Sequence, residues 1–262
     1  MNGKILNLEG KESGTIELPP QFNEEVREDL IKRDLLTIQS HDRQRYGAKP
    51  TAGERSSAKL SRRRRQYRGA YGIGISRVSR KIMSRRGTRM VWVGAFSPGT
   101  VGGRKAHHPK ATKDWSLKIN KKEKRKAIRS ALSATVSKQY VAFEAVPLIV
   151  ENKLESLNKT KDVKNFFKII GLEKELERAE KKKVRAGKGK HRGRKYKKKK
   201  GPLIVVSKNC PLTKSASNIP GVDVSQIKAI NTRLLAPGGV PGRITIYTKD
   251  AIETLRKENL FN

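Results

Sequence analysis

The sequence predicts an α/β fold, a sheet with helices on its faces, and three features of the 262 residues carry that prediction. Short β-branched or alternating apolar runs exchange along the chain with segments of helical hydrophobic period, the pattern of strands alternating with helices. The charge is segregated: of a net +37, +18 falls in residues 43–110 and +13 in residues 181–200. The other 174 residues have a near-normal charge balance, and a domain of that size buries about 70% of the surface of its unfolded chain. The expected organisation is one globular domain, residues 1–42 with 111–262, bearing two basic excursions.

Taken in order, residues 5–8 and 15–18 are short strands around Glu9, Gly10 and Ser13-Gly14, a hairpin signal. Pro19-Pro20 breaks the chain. Behind an expected cap at Asn23, Phe22, Val26, Leu30, Ile31, Leu35 and Ile38 then recur at helical spacing, with acids in the first turn to suit the helix dipole. A second helix is expected from Asn120, with Glu123 completing a variant capping box and Ile128, Ala131, Leu132, Thr135 and Val136 as its buried stripe. Residues 147–150 read as a strand. Thr160 is the expected cap of a helix whose Val163, Phe166, Phe167 and Ile170 are expected to face the core and which Gly171 should end; residues 172–183 are expected to continue as a more polar helix. Residues 203–206, Leu-Ile-Val-Val, have the composition of a buried parallel strand. Residues 243–248 form a last strand, followed by a helix through Lys257.

The larger excursion holds 19 basic residues against the single acid Glu54, and 10 of the 22 glycines, without a sustained hydrophobic period. Its cations include Arg62, Arg63, Arg64, Arg65, Arg68, Arg77, Arg80, Lys81, Arg85, Arg86 and Arg89, interspersed with Tyr67, Tyr71, Val91, Trp92 and Phe96. Arginine forks take phosphates and base edges, planar rings stack, and glycine admits close backbone approach, so this composition suits a segment threading between RNA helices. The alternative is plain disorder. The smaller excursion, with Arg185, Lys188, Lys190, His191, Arg192, Arg194, Lys195 and Tyr196, reads as a phosphate-binding loop, the alternatives being a solvated charge run or a localisation signal.

Other classes drop out. No run approaches about 18 apolar residues, so no membrane span is expected, and the first ten residues lack the form of a secretion signal. Cys210 is the only cysteine, which excludes a disulfide framework or a zinc site built on paired cysteines, and a small apolar role is its default. Gly72-Ile73-Gly74 lacks the third glycine of a dinucleotide fingerprint, and Gly238-Gly239-Val240-Pro241-Gly242 lacks the Lys-Ser/Thr of a phosphate loop and reads as a tight turn. Of the histidines His41, His107, His108 and His191, the last three lie among cations and glycines without accompanying carboxylates, so no metal and no cofactor is expected. No catalytic constellation is present, and the expectation is a non-enzyme.

Four segments carry a family resemblance. They are Gly102-Gly103-Arg104-Lys105-Ala106-His107-His108-Pro109-Lys110, Arg129-Ser130-Ala131-Leu132-Ser133-Ala134-Thr135, the run from Ala186 through Tyr196, and Leu235-Ala236-Pro237-Gly238-Gly239-Val240-Pro241-Gly242-Arg243. In this order, and over essentially the whole chain, they resemble the universal L-four family of large-subunit ribosomal proteins. Eukaryotic members carry a long basic C-terminal extension, and the end of this chain soon after its last helix points to the archaeal form. The resemblance implies a three-layer α/β sheet with helices on both faces, plus a long extended internal loop, residues 43–110, reaching the nascent-peptide exit tunnel. It implies rRNA binding by the cations above together with Arg104, Lys105, His107, His108 and Lys110, and a tunnel-lining tip of Arg85, Arg86, Gly87, Thr88 and Arg89. The partners it implies are large-subunit rRNA, other large-subunit proteins and the nascent peptide, in the cytoplasmic ribosome. The rival functions are an RNA-modifying enzyme on a Rossmann-like sheet and a DNA-compacting protein.

Overall fold

In the computed structural model, which describes residues 1–143 and 145–262, the chain divides into two compact units. One comprises residues 1–42 and 117–262, the other residues 43–116. The first unit begins with strands β1 (Asn2–Leu6) and β2 (Glu12–Glu17) and helix α1 (Glu28–His41). The second unit holds β3 (Arg80–Arg86) and β4 (Arg89–Gly94). The chain returns to the first unit with α2 (Lys121–Val136), β5 (Leu148–Val150), α3 (Thr160–Ile169), α4 (Glu173–Glu180), β6 (Lys183–Val184) and β7 (Tyr196–Lys197). There follow β8 (Leu203–Val206), α5 (Leu212–Ser217), β9 (Asp223–Gln226), α6 (Thr232–Leu235), β10 (Thr245–Thr248) and α7 (Lys249–Lys257).

Six strands form one mixed sheet in the order β2-β1-β5-β10-β8-β9, with only the β1–β2 pair antiparallel. Side chains alternate across a sheet, and register sorts them into two rows. Ile5, Ile149, Tyr247 and Val205 lie opposite one another on neighbouring strands and pack with Phe22 of the turn Pro20–Asn23 and with Ile31, Leu132 and Leu255 of the helices α1, α2 and α7. Leu148, Ile246 and Ile204 form the other row, buried with Val163 and Phe167 of α3 and Leu212 of α5. Helices therefore cover both faces, giving the three layers. At the centre, the fully buried Tyr247 meets Phe22 edge to face at 5.4 Å and shares a 2.8 Å hydrogen bond with the Thr135 hydroxyl. Burial pushes its phenol well above the ordinary tyrosine range.

Several elements differ from their sequence-based bounds, each for a local reason. Pro20–Asn23 is a 3₁₀ turn, and α1 begins only at Glu28. Asn23 caps nothing; Glu24 is extended, and the Arg27 N–H at the true helix start donates to Ser130 Oγ at 2.6 Å. The second helix does start after Asn120, but without a side-chain cap, and Glu123 turns instead to Arg33 at 3.3 Å. The polar helix α4 stops at Glu180 instead of continuing to residue 183, because Lys183–Val184 pairs with Tyr196–Lys197 across the basic loop. Strand β10 starts at Thr245, two residues later than expected, since Arg243 leaves the ladder to turn its side chain inward. No regular element was expected in residues 43–110, where β3 and β4 pair, and β9, α5 and α6 were likewise not foreseen.

That inward arginine gathers a network of polar contacts inside the first unit. Arg243 Nε donates to Gly201 O at 2.7 Å, one terminal nitrogen to Leu234 O at 2.8 Å, and the other to Asp223 at 2.6 Å. Asp223 also accepts from Lys200 Nζ at 2.9 Å. Burial works against the Asp223 carboxylate, but the hydrogen bonds from Lys200 and Arg243 prevail and hold its carboxyl below the usual range. Burial in turn draws the Arg243 guanidinium below its ordinary value, against the pull of Asp223. One carboxylate thus ties the end of the lysine run to the core.

Candidate nucleic-acid interface

The cations of residues 43–116 are organised by aromatic rings. Arg68 and Arg85 lie over Tyr67 at 5.5 and 5.7 Å, Arg77 over Tyr71 at 5.8 Å, and Arg80 over Trp92 at 5.5 Å. Each such contact is worth about 0.5–1 kcal/mol at an exposed site. That biases each guanidinium toward its ring, and the Nε atoms of Arg68 and Arg80 are covered. Arg77 further donates to the Tyr71 hydroxyl at 3.4 Å, and Arg80 to Ser76 O at 2.9 Å.

The hairpin β3–β4 turns through Gly87-Thr88. Gly87 has φ +58° and open space around it, and it occupies the first central position, where primed two-residue turns take glycine. Arg85 Nε closes the tip by donating to Gly87 O at 3.0 Å, and Arg86 stands opposite Arg89. A bulge between Ile82 and Ser84 shifts the register. Arg85 is thereby set opposite Met90, on the β4 face that also carries Trp92, where the Tyr67 hydroxyl approaches Met90 Sδ at 3.7 Å. The other face presents Val91 and Val93 to solvent, with Met83 exposed at the bulge.

Arg62, Arg63, Arg64 and Arg65 are exposed on a turn and Lys81 is half-buried. Arg104 meets Glu54 at 3.9 Å; Lys105, His107 and Lys110 are exposed, and His108 is half-buried. Gly103 in this motif is required by volume, because a Cβ there would sit 2.0 Å from Ser97 O.

The second set of predicted residues belongs to the first unit. Arg185 N–H bonds Lys195 O at 2.8 Å and its Nε bonds Arg194 O at 3.0 Å, folding the loop back on itself. Lys188, Lys190, His191, Arg192 and Arg194 are left exposed, and Tyr196 carries Lys182 at 4.7 Å and Lys195 at 5.5 Å. Lys197–Lys200, Lys181, Lys183 and Arg178 surround a cavity of about 590 Å³ beside Pro237 and Gly238. Sequence reasoning passed over Arg43, Tyr46, Lys113 and Trp115. Tyr46 and Trp115 stack at 4.8 Å, a pairing of residues far apart in sequence that no local pattern announces. Cys210 is half-buried, 3.9 Å from the Thr213 hydroxyl. Among the described residues no group of three or more His, Cys, Asp or Glu side chains is placed to hold a metal ion, and no helix is long and apolar enough to cross a membrane.

Guanidinium and ammonium groups held beside exposed rings can neutralise phosphates and stack planar groups together. Fold and surface therefore define a class: a strongly basic α/β protein with the chemistry to hold a polyanion. Comparison with known proteins gives the particular family. Residues 16–258 match the model of the Ribosomal protein L4/L1 family, and the chain belongs to that family. It is 52% identical to large ribosomal subunit protein uL4 of Nanoarchaeum equitans over 268 aligned residues, covering 100% of both chains. It is 45% identical to the uL4 protein of Archaeoglobus fulgidus, over 97% of this chain and 98% of the relative. With that of Methanopyrus kandleri the identity is 42%, over 98% of each. The family is one of ribosomal structural proteins, not enzymes.

Proposed function

We propose that the chain is a structural constituent of the large subunit of the cytoplasmic ribosome. In this reading it binds large-subunit rRNA through residues 43–110 and 181–200, makes contacts with neighbouring large-subunit proteins, and brings residues 85–89 to the nascent-peptide exit tunnel. The observation that carries the reading is the ring-supported array of cations in residues 43–116. The names of the relatives supply the particle. The first unit is the docking body, and the arginine-rich segment screens phosphates that would otherwise repel across closely packed RNA helices. The tip is a two-residue turn flanked by Arg85, Arg86 and Arg89, narrow and cationic, as suits a wall that a peptide passes.

Sucrose-gradient sedimentation of cell extract across a salt series tests the assignment. Comigration with the large subunit into high salt is the expected result, and a pool found only free or only on DNA would overturn it. The tip is tested separately by placing a photo-crosslinker at Thr88 in translating ribosomes. Crosslinks to the nascent chain are expected; crosslinks to rRNA alone would remove the tunnel assignment and leave the rRNA assignment standing.

A further inference from the structure

Where the chain enters and leaves residues 43–116, two stretches of backbone run together. Ala48 N–H donates to Pro109 O at 2.8 Å, and Arg45 meets Asp114 at 3.5 Å. Between these contacts the rings of Tyr46 and Trp115 stack with centroids 4.8 Å apart and planes 22° apart. The Arg43 guanidinium lies 4.5 Å from the Trp115 centroid and 5.3 Å from that of Tyr46, and Lys113 Nζ lies 5.1 Å from Trp115. A clasp serving only to close this neck would gain most by burying both rings. Tyr46 is instead 48% exposed although one of its faces rests on the indole, and Arg43 donates to its hydroxyl at 3.3 Å. The indole N–H is covered, yet it has no acceptor among the described residues. An unpaired covered donor is costly.

We propose that the Tyr46–Trp115 stack is a docking site for one unpaired nucleobase of RNA, which extends the ring column on Tyr46 while Arg43 and Lys113 take the phosphates on either side. This rests on the RNA-binding reading of residues 43–116. The chemistry favours a base over a bare phosphate, because a phosphate would need the cations but not an open aromatic face. It favours a single-stranded base over a duplex, because stacked and paired bases show no free face to an inserted ring. Two rings already stacked make a preformed platform, so the base adds to a column without first ordering a side chain.

The chain has two tryptophans, so W92F leaves Trp115 as the sole indole in the full-length protein. Its fluorescence is titrated with a single-stranded oligouridylate and with a duplex RNA of equal charge, while anisotropy of labelled RNA reports binding. Quenching by the single strand but not by the duplex is expected. Tyr46→Ala should weaken single-strand affinity by about 5- to 150-fold, the range of one base–aromatic stack, and leave duplex affinity unchanged. Tyr46→Phe should restore it. Equal quenching by both RNAs, or single-strand binding without quenching and without an effect of Tyr46→Ala, would overturn the proposal while sparing the RNA-binding reading. Absence of binding to either RNA would overturn both. Circular dichroism of Y46A and W92F separates loss of the site from loss of fold.

Discussion

Replacing Arg243 by Met tests whether the buried ion pair organises the first unit. The substitution keeps much of the side-chain volume. It removes the donors to Gly201 O, Leu234 O and Asp223, at 2.7, 2.8 and 2.6 Å. Breaking a buried pair by removing one partner costs about 3–5 kcal/mol. Asp223 keeps Lys200, and its side chain is 25% exposed, which places the expected cost at about 3 kcal/mol, the lower end of that range. For a unit of this size that lowers the melting temperature by about 6–12 °C, read by circular dichroism on the purified chain. The pH dependence adds a signature. Because the Asp223 carboxyl is held below its usual range in the folded chain, the unfolded chain takes up a proton first as the pH falls. The contribution of the pair is therefore complete above about pH 4 and is lost as the pH drops below it. Arg243→Met should flatten that acid loss as well as lower the neutral plateau. A melting point within about 2 °C of the parent at pH 7 would refute the reasoning, since even one unsatisfied buried carbonyl costs more than that.

Three further outcomes are expected. Tyr247→Phe removes the hydroxyl that meets Thr135, but Thr135 keeps its 2.7 Å bond to Leu132 O, so the cost should be about 1 kcal/mol by urea titration. If the chain neutralises about 6–10 phosphates, its affinity for rRNA should fall about 10³–10⁵-fold between roughly 50 and 200 mM salt; a flat salt dependence in a filter-binding assay would contradict the cationic interface. Trypsin should cut the free protein first among the exposed Arg62, Arg63, Arg64 and Arg65 and spare them in the ribosomal particle, as followed by mass spectrometry.

The core of the first unit was legible in sequence because its signals are local. Leu203–Val206 is bounded as its composition implies, and the stripe from Ile128 to Thr135 is the buried face of α2. Boundaries failed where long-range contacts overrode local ones. Asn23 is a good capping residue placed before a good helix, but the backbone at Arg27 found Ser130 across the unit. The interface was legible in charge and not in arrangement. Counting arginines located residues 43–110, whereas the hairpin, the pairing of each arginine with its ring and the Tyr46–Trp115 stack depend on contacts between distant residues. Tyr46 drew no attention because nothing near it in sequence is aromatic.

The bulge in β3 has a consequence for how the hairpin tip is encoded. Side chains alternate along a strand, so the extra residue between Ile82 and Ser84 decides which face each later arginine occupies. Were Met83 instead paired in regular register with Val91, Ser84 would stand opposite Met90 and Arg85 opposite Arg89, so Arg85 and Arg86 would exchange faces with composition and charge untouched. Arg85 would leave Tyr67, and Arg86 would take the side now facing Met90. The same residues paired without the bulge would thus display a different tip, so register here carries information of the same rank as charge.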